Sequence, residues 1–101
     1  GNKLTTVDSD EWLKYLGVPD NKGQRLSLLL KFPNGSRKKI DVEDTTPIKA
    51  VFVLAAGLGY GVCDHMLTLF YPKREYFFEN ASQTMRELHF NKQEVIHVEK
   101  K

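Results

Sequence analysis

The sequence predicts an α+β fold in which a mixed sheet wraps one helix, and three observations predict it. Leu26, Leu28, Leu30 and Phe32 alternate with Ser27, Leu29 and Lys31, the period-two signature of a strand with one buried face. Ile48, Val51, Phe52 and Ala55 recur at the three-and-four spacing of a core-facing helix. Strand signals then resume after the helix, and a chain of 101 residues has room for one modest core only.

Each element has its own local reason. Residues 1–23 read as a polar lead-in with a short helix at about 9–16. Asp8 and Glu11 form a capping box there, Trp12, Leu13 and Leu16 make one apolar side, and Gly17 followed by Pro19 stops it. Two turns do not hold alone in water, so this helix must dock or fray. The main unit spans 24–99. After the first strand, Pro33-Asn34-Gly35 supplies turn chemistry, and Ile40 and Val42 mark a second strand with Lys39 and Asp41 turned outward, which makes a hairpin. Thr46 reads as the helix N-cap with Pro47 at the first helical position, and Gly57, Gly59 and Gly61 end the helix. A third strand runs over 65–70 with Leu67 and Leu69 inward, and a short fourth lies around 76–78. Residues 80–83 are loop, 84–88 a short capped turn of helix, and 95–98 the last strand. The order ββαβ(β)αβ is that of a ubiquitin-like β-grasp.

Composition narrows function by exclusion. Apolar content of 41% with 28% charged residues describes a globule rather than a disordered tail. A net charge of +2, from 15 basic and 13 acidic side chains, gives no strong field toward nucleic acid or anionic lipid. No apolar run approaches a membrane span, and no signal-peptide core is expected at the polar N-terminus. Cys63, the single cysteine, excludes an internal disulfide and fits a reducing compartment. The glycines at 57, 59 and 61 follow a helix, whereas a phosphate-binding loop needs them before one. Cys63, Asp64 and His65 adjoin in sequence, unlike a nucleophile and base that converge from separate segments, so no enzyme is expected. His65, His89 and His97 lack the paired spacing of a zinc site, and no metal or cofactor is expected. Strand alternation dilutes the basic run Arg37, Lys38 and Lys39, and one or two of Tyr76, Phe77 and Phe78 must enter the core.

The expected working surface is the turn Phe70-Tyr71-Pro72-Lys73-Arg74. Proline cannot donate to a sheet ladder, so the third strand must stop here, and the stiff turn holds an aromatic ring beside positive charge. At these residues the chain from about 25 to 99 resembles a UBX domain of the Fas-associated-factor type. Lys31-Phe32-Pro33-Asn34-Gly35 and Tyr71-Pro72-Lys73-Arg74 carry the likeness, together with Thr84-Met85-Arg86-Glu87-Leu88 and Gln93-Glu94-Val95-Ile96. UBX domains are ubiquitin-like modules of adaptors for the hexameric AAA ATPase called valosin-containing protein in animals and Cdc48 in yeast.

The resemblance implies a non-catalytic module that docks its parent adaptor onto the ATPase N-terminal domain in ubiquitin-dependent protein degradation, in the cytoplasm or nucleus. It implies that Tyr71 takes the place of the family's groove-entering phenylalanine, Pro72 that of its proline, Lys73 that of a loop arginine and Lys31 that of an arginine on the first strand. Lys31 has opposite parity to Leu30 and Phe32 and so faces outward, as that role needs. Lysine offers a point charge instead of a planar fork, and the Tyr71 hydroxyl needs a polar partner in a pocket built for phenylalanine. Together these departures weaken binding roughly ten- to hundredfold. Arg74, next along the turn, is a further basic contact, and Phe70 adjoins the ring. The alternative is a ubiquitin-like structural or regulatory domain whose loop has diverged from the binding pattern and which packs within its parent protein. Neither reading involves nucleic acid or membrane, and a monomer is expected for the isolated domain.

Overall fold

The computed structural model describes residues 11–18, 21, 23–70 and 72–101. Its regular elements are β1 (Arg25–Lys31), β2 (Arg37–Glu43), α1 (Lys49–Gly57), β3 (His65–Leu69), β4 (Arg74–Tyr76) and β5 (Gln93–Lys100), with short 3₁₀ turns at Glu11–Tyr15 and Phe78–Asn80. The strands form one mixed sheet in the order β2-β1-β5-β3-β4. β1 and β2 pair antiparallel, β1 and β5 parallel, and β3 lies antiparallel to both β4 and β5. This is the α+β β-grasp arrangement that the sequence predicts.

Alternation decides which face each strand buries. Leu26, Leu28, Leu30, Ile40, Val42, Leu67, Leu69, Ile96 and Val98 point to one side and are buried against Ile48, Val51, Phe52, Leu54 and Ala55 of the helical segment. Met85 and Phe90, from the segment between β4 and β5, close the far end of this core. In the β1–β2 hairpin, Gly35 at φ +90° makes the turn, and the Asn34 side-chain oxygen accepts from the Ser36 backbone N–H at 2.9 Å.

The segment after the Phe78–Asn80 turn is strapped to the start of α1. The capped turn expected at 84–88 is closed by a capping box: Thr84 N–H donates to Glu87 Oε1 at 2.8 Å, and Glu87 N–H to Thr84 Oγ1 at 3.1 Å. No α-helix follows. His89 at φ 60° turns the chain after one loop, and Phe90 N–H reaches back to the Met85 carbonyl at 3.0 Å. Buried Asp44 accepts from Arg86 Nη2 at 3.0 Å, while backbone bonds join Met85 to Thr46 and Arg86 to Asp44.

Several local expectations change. Thr46 does not cap α1: Ile48 holds the N-cap position, and the Thr46 hydroxyl accepts instead from Gly17 N–H at 2.8 Å. Of the glycines expected to end the helix, Gly59 alone takes positive φ, at +102°. The Tyr60 N–H bonds to the Ala55 carbonyl and the Gly59 N–H to that of Ala56, a Schellman closure. β3 stops at Leu69, one residue early, and β4 lies before Phe77 and Phe78 rather than over them. The ladder registers Arg74 with Leu69 and Tyr76 with Leu67, which leaves Phe78 for a 3₁₀ turn with its ring edge-on to Phe52.

In the lead-in, Asp8 and Pro19 lie outside the described residues. Glu11–Tyr15 is a 3₁₀ turn, and three residues per turn put Trp12 and Tyr15 on the inner side. Trp12 packs against the core and Lys49 Nζ sits 5.1 Å from the Tyr15 ring centre, whereas Leu13 and Leu16 are exposed. Gly17 locks this arm down, because its backbone passes so close to Thr45 that a Cβ would collide with the Thr45 hydroxyl and backbone. The Thr45 hydroxyl in turn donates to the Val18 carbonyl at 2.9 Å. Gly17→Ala is therefore expected to lower stability by about 1–3 kcal/mol, read as a fall in the thermal midpoint. An unchanged midpoint would mean that the arm contributes nothing to the folded state.

Candidate functional site

The outward face of the sheet gathers the sequence-predicted residues through strand register. Lys31 is the last residue of β1, and its pairings place it beside Arg37 of β2 and His97 of β5. His97 is paired on its other side with Thr68 of β3. Two residues beyond Thr68, Phe70 continues the same parity and meets His97 edge-on, with ring centres 5.0 Å apart. Lys31 and Phe70 thus share an open groove of about 380 Å³ whose lining is completed by Gln93, Glu94, Val95 and His97. Lys31 is half-buried and Phe70 is 39% exposed.

The rest of the turn divides between two sides of the sheet. Pro72 and Lys73 are exposed. Lys73 makes one long contact with Glu75, at 3.6 Å, and both side chains stay open to solvent, so the pair restrains the ammonium weakly. Arg74 goes the other way. It registers with core-facing Leu69, and its guanidinium lies over the Phe90 ring at 5.6 Å and 3.6 Å from Glu94 Oε2. The Glu94 carboxylate also accepts from the Asn91 backbone and side-chain amides at 2.9 and 3.1 Å. Arg74 therefore serves the inner side of the sheet. The position of Tyr71 lies outside the described residues.

His97 is the groove residue that the sequence reading left out. A signal for it was present, because Val95 and His97 carry the parity opposite to Ile96 and Val98. What the alternation did not supply was the neighbour, since only the parallel β1–β5 pairing sets His97 against Lys31. None of these groups forms a nucleophile–base pair. Among the described residues no cluster of His, Cys, Asp and Glu is arranged to hold a metal ion, and no helix is long and apolar enough to cross a membrane. An exposed turn beside an open groove lined by Lys31 and Phe70 suits contact with another macromolecule.

A family model for the UBX domain matches residues 20–100. No curated protein matches the chain. Among solved structures, the UBX domain of D0H8S2298E protein is similar, at 18% identity and TM-score 0.66, over 84% of each chain. The C-terminal ubiquitin-like domain of mouse tubulin-specific chaperone e is similar at 22% identity and TM-score 0.64, over 84% of this chain and 95% of that one. The ubiquitin-like domain of yeast Ddi1 follows at 16% identity and TM-score 0.63, with the same coverage.

Glu94 is the electrostatic anchor behind the groove, since one mostly buried carboxylate holds both the Asn91 loop and Arg74. Glu94→Ala should lower stability by about 1–3 kcal/mol, measured as a lower urea midpoint, because it leaves the partly buried Arg74 guanidinium and the Asn91 amides without their carboxylate partner. Lys73→Ala, which loses only an exposed contact, should change the midpoint by less than about 0.5 kcal/mol. Equal effects of the two substitutions would contradict the assigned geometry.

Proposed function

Because the chain belongs to the UBX domain family, a class of ubiquitin-like protein-interaction modules, we propose that it docks its parent protein onto the N-terminal domain of the AAA ATPase valosin-containing protein (Cdc48). The observation that carries this reading is the shared groove of Lys31 and Phe70, which opens beside the exposed Pro72-Lys73 turn. An anchor held by a stiff turn costs little ordering on binding, and cations at its rim steer it toward an acidic cleft. In this mode Tyr71 enters the ATPase groove while Lys31 and Lys73 meet its rim. Arg74 holds the base of the turn from behind through Glu94 and Phe90. The module has no chemistry of its own, works as a monomer, and tethers cargo carried elsewhere on its parent for ubiquitin-dependent degradation, in the cytoplasm or nucleus.

One observation favours a second reading. Arg74 is tied to Glu94 on the inner side of the sheet, so at the turn itself Lys73 carries the outward charge without a guanidinium fork. A module so depleted serves as a structural or regulatory domain packed within its parent.

Calorimetric titration of the chain with the isolated ATPase N-terminal domain separates the two. Under the docking reading the wild type binds, and Pro72→Gly, Tyr71→Ala and Lys31→Glu each weaken binding by about tenfold or more while the thermal midpoint is kept. Undetectable binding of the wild type contradicts docking and leaves the second reading.

A further inference from the structure

Next to the Lys31–Phe70 groove, and sharing Gln93, Glu94 and Val95 with it, the outer face of the sheet carries a second hollow. Leu29 of β1 is paired with Lys39 of β2 on one side and with Val95 of β5 on the other. Together with Ser27, Gln93 and Glu94 these three line an open hollow of about 410 Å³. Its floor is aliphatic, and Val95 is 40% exposed. Its rim is cationic: Lys39 lines it directly, and Lys31 and Arg37 stand two residues further along their strands on the same face.

The charge there is uncompensated. Among the described residues Lys31, Arg37, Lys38 and Lys39 make no ion pair. Glu94, the acid of the lining, is already held by Arg74 and Asn91. β2 turns two carboxylates to this face: Asp41, opposite Ser27, and Glu43, which is held by Arg25 at 3.3 Å beyond the hollow, against Arg37 and Lys39 from the same strand.

We infer that this hollow is a second recognition surface, which takes an extended acidic polypeptide segment whose aliphatic side chain seats on Leu29 and Val95 while its carboxylates meet Lys39, Lys31 and Arg37. Charge complementarity selects the occupant. A second copy of the chain, brought face to face, would set this basic rim against itself. A nucleic acid finds phosphate partners at the rim but no aromatic ring among the lining residues on which to stack a base. A peptide uses both features, and the apolar stems of the lysines extend the floor beneath it. Lys31 is common to both surfaces, whereas Leu29 and Lys39 belong to this one alone, and it stands whether or not the ATPase is the partner at the turn.

The test is a titration of the isotopically labelled whole chain, followed by amide chemical shifts, with a blocked octapeptide of alternating glutamate and leucine. The expected result is saturable shifts centred on Leu29, Lys39 and Val95. Lys39→Glu and Val95→Asp, both exposed positions, should each weaken binding by about tenfold or more with the spectrum otherwise folded. The matching lysine–leucine octapeptide should shift none of these amides. Absence of shifts at about 1 mM peptide, equal shifts with the basic peptide, or indifference to Lys39→Glu overturns the inference. So do larger shifts at the same amides from oligouridylate or from phosphatidylserine vesicles. Capture of the ATPase domain is read separately: a chain that takes the peptide but not the ATPase domain contradicts only the docking reading, and the reverse result contradicts only this one.

Discussion

The parallel pairing of β1 with β5 is the constraint on which the rest of the molecule depends. It joins an early strand to the last one at the centre of the sheet, with Leu28, Leu30 and Ile96 buried on one side and Leu29, Lys31, Val95 and His97 on the other. A parallel pair cannot be closed by a tight turn, so the intervening chain must cross over, and here it carries α1, β3 and β4 on the way. The crossover covers the apolar face with α1 and leaves the opposite face of β1 and β5 accessible at Leu29, Lys31, Val95 and His97, while Met66 and Thr68 of β3 are buried there. Lys31 and His97, and likewise Leu29 and Val95, are neighbours through that one register.

Secondary anchors hold the open face in place from behind. Glu94 fastens the entry to β5 by accepting from Asn91, and the same carboxylate draws in Arg74 from the start of β4. Asp44 does comparable work at the other end, where it receives Arg86 and ties the capped turn at 84–87 to the start of α1. Both carboxylates are largely desolvated and hydrogen-bonded, the condition under which a buried acid supports a fold. The cations left outside, Lys31, Arg37, Lys38 and Lys39, have no such duty. Their positive charge faces solvent or a partner.

Much of this was legible in the sequence, for reasons tied to particular residues. The alternation from Leu26 to Phe32 gave β1 and the outward face of Lys31, the Asn34-Gly35 turn gave the hairpin, and the short capped turn read at 84–88 is present as a single turn closed by Thr84 and Glu87. Errors arose where a long-range partner outbid a local rule. Thr46 looks like an N-cap, yet its hydroxyl is taken by Gly17, distant in sequence and brought near by the docked arm. Tyr76, Phe77 and Phe78 are three consecutive aromatics, so hydropathy could not place β4, and the ladder between Leu69 and Arg74 decided it. The turn at 70–74 was visible because proline is local evidence. Its division into an outward Pro72-Lys73 and an inward Arg74 was not, because that depends on Glu94 and Phe90 across the sheet.

The proposed docking face lies at one end of the central strands β1 and β5, on the side of the sheet opposite α1. Amide shift mapping of the labelled chain with unlabelled ATPase N-terminal domain tests this most directly. It should show changes concentrated at Lys31, Phe70, Lys73 and His97, with the arm from Glu11 to Val18 and α1 undisturbed. Changes centred on that arm and α1, with the groove unmoved, would contradict it.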